Sequence, residues 1–87
     1  MPDRKLKFET AKYTENIRIP ANCNGITFIN NSTVVTDIVY INDIPLQPNG
    51  GAISFQCNAN EIDTTEYFIQ VNTSLTAIIN VIKAVYI

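Results

Sequence analysis

The chain has no histidine and no tryptophan, and it holds two cysteines, Cys23 and Cys57. Without histidine the commonest general base is missing, together with most arrangements that activate a nucleophile and the usual nitrogen ligand for zinc. The cysteines stand apart with no CxxC spacing, which leaves a structural zinc site short of ligands. Neither has a basic neighbour in sequence to lower its pKa, which argues against a nucleophilic thiol. No apolar run approaches the roughly 20 residues needed for a membrane-spanning helix. The first residues, Met1-Pro2-Asp3-Arg4-Lys5, lead into no apolar stretch of the kind a secretory signal carries. The expectation is therefore a soluble protein, with no membrane contact, made in a reducing compartment with both thiols free, the alternative being one Cys23–Cys57 bridge formed after release from the cell. The sequons at Asn30, Asn31 and Asn72 carry no weight in that setting.

Basic residues are scarce and segregated. Arg4, Lys5, Lys7, Lys12 and Arg18 precede residue 19, and the next base is Lys83. The intervening stretch carries only acids: Asp37, Asp43, Glu61, Asp63 and Glu66. A nucleic-acid face needs dense Lys/Arg with interleaved aromatics. The short Arg4-Lys5-Leu6-Lys7 run, flanked by Asp3 and Glu9, does not supply one. No nucleic-acid partner is expected.

What the chain does have is isoleucine, asparagine and threonine: fourteen, eleven and nine residues. Ile and Thr favour strands and Asn favours turns, so the composition points to short strands with frequent reversals. The apolar periodicity is two throughout. Leu6 and Phe8 alternate with Lys5, Lys7 and Glu9; Ile17 and Ile19 end at Pro20; Ile26 to Ile29 is closed by Asn30-Asn31-Ser32. Val34 to Ile41 reads as the longest clear strand, followed by a connection through Asn42-Asp43 and Pro45 to Gly51. Ile53, Phe55 and Cys57 share one face of the next strand, which would bury Cys57 and leave Cys23, among turn residues, more accessible. Tyr67 to Val71 and about Thr76 to Ile87 complete the set. The expectation is one all-β domain over residues 1–87. It would be an antiparallel β-sandwich of six to seven strands, immunoglobulin-like or jelly-roll-like, with a small barrel as the alternative.

Candidate sites are few. Asn58, Asn60 and Asp63 could offer oxygens to Ca²⁺, but their spacing matches no established loop and a polar hairpin tip has the same composition. No metal, cofactor or catalytic residue is expected, and the chain is read as a non-enzyme. The last strand is the most suggestive segment. Ile79, Val81, Val85 and Ile87 lie on one face, and Ile78, Ile82, Ala84 and Tyr86 on the other. Two apolar faces are hard for so small a chain to cover, unless the strand is central or another chain covers one of them. The candidate interface is therefore Ile78, Ile79, Val81, Ile82, Val85, Tyr86 and Ile87.

Three segments carry a family resemblance: Gly25 to Ser32; Val39-Tyr40-Ile41-Asn42-Asp43-Ile44-Pro45-Leu46 with Pro48 and Gly50; and Ile53-Ser54-Phe55. Together they resemble small accessory proteins of tailed-bacteriophage virions, in which a strand, an N-x-S turn and a V-Y-I-N-G-I-P-L run recur. This chain has Asp43 where that pattern has Gly. The resemblance implies a capsid auxiliary or decoration protein, or a fibre- or tail-attachment protein, present as a homo-oligomer or in many copies within a larger assembly. It would be made in the host cytoplasm, reside in the virion and bind other virion proteins. The alternative is a carbohydrate-binding or adhesin-type module, for which exposed aromatic platforms would be the sign.

Overall fold

The computed structural model describes residues 5–71 and 74–87. Eight strands run in order: β1 (Leu6–Tyr13), β2 (Ile17–Pro20), β3 (Gly25–Asn30), β4 (Val39–Ile41), β5 (Ile44–Leu46), β6 (Gly51–Gln56), β7 (Glu66–Gln70) and β8 (Ile79–Tyr86). Among the described residues there is no helix. Every strand pairing is antiparallel, and the strands divide into two four-stranded sheets, ordered β1-β8-β3-β6 and β2-β7-β4-β5. The all-β, sandwich-like expectation holds, but the described residues form eight strands, above the six to seven read from the sequence.

The pairing is nested. β4 pairs with β5 across a tight turn, β3 with β6, β2 with β7 and β1 with β8. The chain thus behaves as one long hairpin doubled back at Asn42-Asp43 and then rolled, so that β8 also meets β3 and β4 also meets β7. The tip is a two-residue loop joining Ile41 to Ile44, with φ of 47° at Asn42 and 69° at Asp43. Positive φ at both central residues gives the twist that a tight hairpin needs, and Asn and Asp tolerate it better than other non-glycine residues.

Side chains from both sheets meet in one core. Ile26, Phe28, Ile79 and Val81 come from the first sheet; Ile19, Val39, Ile41, Tyr67 and Ile69 from the second. Phe28, Phe55 and Tyr67 form an aromatic trio bridging the layers, with ring centroids 5.0–6.4 Å apart. Polar groups that enter the core are bonded. Asn30, fully buried, donates its amide to the Asp37 and Leu46 carbonyls (2.8 and 2.9 Å), while its Oδ1 accepts from Ser32 N.

Two elements differ from the sequence reading. Val34 to Ile38 is not strand: Asp37 N donates to Val34 O in a turn, and Val35 is exposed. Asp37 turns inward and accepts the Ser74 and Thr76 hydroxyls, which withdraws this segment from any ladder. Conversely, Ile44–Leu46, read as connection, is β5. Pro45 is tolerated because β5 is an edge strand, where a missing N–H costs no ladder bond.

Candidate interaction surface

β8 is a central strand, flanked by β1 on one side and β3 on the other. Its alternation is as the sequence suggested. Ile79 and Val81 face inward at 0% and 1% exposure, and Val85 packs against the same core. Ile82, Ala84 and Tyr86 face outward and are half-buried, Ile78 before them is half-buried, and Ile87 at the end is exposed. The seven candidates are therefore not one patch: three belong to this chain's own core, and the outward group is the part available to another molecule.

The outward face can be laid out from the registers. Opposite residues of antiparallel strands share a face. Phe8 stands beside Ala84, which stands beside Gly25 and then Gln56; the next row is Thr10, Ile82, Thr27 and Ser54; the next is Lys12, Asn80, Ile29 and Ala52. The polar members are bonded, Thr27 to Ser54 at 2.9 Å and Asn80 Oδ1 to the Asn31 amide at 2.5 Å. Between Phe8, Ile82, Ala84 and Gln56 lies a shallow depression of about 270 Å³. Phe8 is 76% exposed, the one exposed aromatic among the described residues. The second sheet is finished differently: there Arg18 lays its guanidinium 4.2 Å from the Phe68 ring centroid and reaches Glu66 at 4.0 Å, covering the outward aromatic with charge. Among the described residues nothing comparable covers Phe8.

On the inner side, β1 overhangs. Leu6 through Lys12 are exposed on both faces, and only Tyr13 packs against the core. Glu9, Ala11, Tyr13, Val81 and Lys83 line an open shelf of about 470 Å³ under the overhang. Lys83 closes its end by donating to the Pro20 carbonyl at 2.8 Å.

No family model, curated protein or solved structure matches the chain.

The other candidates resolve into structure. Asp63 accepts from Thr65 N (2.8 Å) and from the Tyr67 hydroxyl (2.6 Å). Burial works to raise its carboxyl, but these hydrogen bonds outweigh burial and hold it below the usual carboxylate value. Burial, then the hydrogen bond to Asp63, pushes the Tyr67 hydroxyl well above its ordinary value. The Asn58 and Glu61 carbonyls both accept from Asn24, whose amide also reaches the Tyr86 hydroxyl at 3.0 Å. The loop from Asn58 to Asp63 is thus a strap tied to β8, and of its oxygen-bearing candidates Asp63 has its carboxylate engaged by protein donors. Among the described residues no three acids or thiols converge.

The cysteine expectation is reversed. Cys23 is buried at 1%, and Cys57 is only half-buried; both are free thiols. Cys23 bridges Asp63 along the backbone, so the strap that begins at Cys57 covers it. Turn composition at residues 22–25 could not reveal that a later loop would close over them. Burial is the first cause raising both thiols; the Asp63 charge adds to it at each, while Lys83 opposes it at Cys23.

Proposed function

We propose that the chain is a structural component of a tailed-phage virion, a capsid auxiliary or a fibre- or tail-attachment protein that works through protein contacts. The observation that carries this reading is the outward face of the first sheet. It combines a Phe8 that no other described residue covers with half-buried Ile82, Ile29 and Ala84 on a hydrogen-bonded sheet. A face of that kind suits a partner surface better than solvent. The nested pairing adds support: two sheets ordered β1-β8-β3-β6 and β2-β7-β4-β5 favour a jelly roll, an architecture found among viral capsid and lectin domains. These sheet orders favour the jelly-roll expectation over the immunoglobulin-like one by fold analogy alone. The residues that carry the family resemblance also converge in space, with Asn30 bonded to Leu46 and Gly50.

The carbohydrate reading draws less support, because the aromatics cluster inside or lie half-buried and one exposed phenyl ring is no platform. The test is sedimentation of phage particles from a lysate in which the chain is made. The chain is expected to pellet with particles in fixed stoichiometry, and Ile82→Asp, folded, is expected to stay in the supernatant. A wild-type chain that never pellets with particles refutes the reading.

A further inference from the structure

The first sheet ends at β1, whose outer edge has no neighbouring strand among the described residues. Ile87 N donates to the Lys5 carbonyl at 3.0 Å, so Lys5 turns its main-chain groups toward β8. By the alternation of an antiparallel ladder, Leu6, Phe8, Thr10 and Lys12 turn theirs away, to the open side. β1 is eight residues long and buries none of its side chains from Leu6 to Lys12. Proteins blunt such an edge with charge, and Lys7, Glu9 and Lys12 are there. Their order does something more specific than repel.

We infer that β1 pairs with β1 of a second copy of this chain, antiparallel and centred on Phe8, joining two four-stranded sheets into one continuous sheet. A twofold axis through Phe8 sets Phe8 against Phe8 of the second copy, both with main-chain groups facing the new partner. Leu6 then lies against Thr10 of the second copy on the outward face. On the inward face Lys7 lies against Glu9 of the second copy, and Glu9 against its Lys7. Opposite charges directly across a ladder stabilise it and like charges oppose it. Sliding the register by two residues one way places Glu9 on Glu9 with no opposite pair to offset it. Sliding it the other way places Lys7 on Lys7 but also Lys5 against Glu9 twice. The central register is the one of the three that sets no like charges across from each other between residues 5 and 11. Within one chain Lys7 and Glu9 are 3.7 Å apart, with side chains 57% and 55% exposed, so both ions are at the surface and free to turn across. The inference rests on the proposed protein-contact mode of action but not on the identity of the assembly.

The experiment uses two single variants, Lys7→Glu and Glu9→Lys, and light scattering after size exclusion. The wild type is expected to dimerise as concentration rises. Each variant alone faces like charges twice over and is expected to run as a folded monomer, with wild-type circular dichroism. Mixed one to one, the two variants set the introduced glutamate against the introduced lysine, and the remaining Glu9 against the remaining Lys7. A heterodimer is therefore expected to return in the mixture. A monomeric wild type overturns the inference, as do single variants that dimerise like the wild type or a mixture that stays monomeric. Particle sedimentation is read separately: a wild-type dimer that ignores particles keeps this pairing and removes the virion reading, and a monomer that pellets with particles does the reverse.

Discussion

Two isoleucines three positions apart on β8 should respond to the same substitution in opposite ways. Ile79 is fully buried with Phe28 and Val81 in the inter-sheet core, while Ile82 is half-buried on the outward face between Thr10 and Thr27. Truncating a buried isoleucine to alanine costs about 2–5 kcal/mol, and a carboxylate in the same place adds several kcal/mol of desolvation. A domain of this length has about 4–13 kcal/mol of stability in total. Ile79→Asp is therefore expected to be unfolded at 25 °C, and Ile79→Ala folded with most of its margin gone. Full burial of an isoleucine is worth about 1.5–3 kcal/mol, so the half-buried Ile82 contributes roughly half of that. An aspartate at position 82 keeps its water, and the lower strand preference of Asp adds less than about 1 kcal/mol. The net cost of Ile82→Asp is about 1–2 kcal/mol by the same burial scale. With a urea m-value of about 1–3 kcal/mol/M, its midpoint falls by roughly 1 M while the folded baseline remains. Urea titrations followed by far-ultraviolet circular dichroism measure all three variants. An Ile82→Asp protein as damaged as Ile79→Asp would refute the assignment of faces, and with it the outward surface on which the proposed function stands.

Thiol accessibility offers a second check: under native conditions a maleimide is expected to label Cys57 well before Cys23, and mass mapping of the first adduct decides it. The Asp63 carboxyl is held below its ordinary 3.8, so its contribution is present above that pH and is lost as the solution is acidified through and below it. Asp63→Asn is accordingly expected to be less stable than the wild type at about pH 6 and to lose less further stability on acidification to about pH 2.5, as read from thermal midpoints.

The sequence made the period-two alternation legible wherever one face is dry, as in Ile26 to Ile29, and it made both faces of β8 legible as apolar. What it concealed has a common cause, namely dependence on distant partners. Val34 to Ile38 has the composition of a strand, yet Asp37 is drawn inward by hydroxyls from Ser74 and Thr76, and no local pattern reports that. Cys23 reads as exposed because its own neighbours are turn residues, and the strap from Cys57 to Asp63 that covers it lies over 30 residues away. β1 continues to Tyr13 past the last clear alternation because a strand with neither face buried has no hydrophobic period to read. For the candidate interface, the alternation separates the two sides of β8, but which side meets the core depends on where the second sheet packs.

The nested pairing also orders events in time. The turn at Asn42-Asp43 closes with almost no loop entropy, so the β4–β5 hairpin can form as soon as its residues are free, while β1 must find β8 across nearly the whole length of the chain. During synthesis β1 emerges first and its partner last. Until β8 arrives, β1 has two open edges instead of one, and β3 lacks its central neighbour. Glu9 then opposes pairing between nascent chains of the same sequence in the register that sets it against itself.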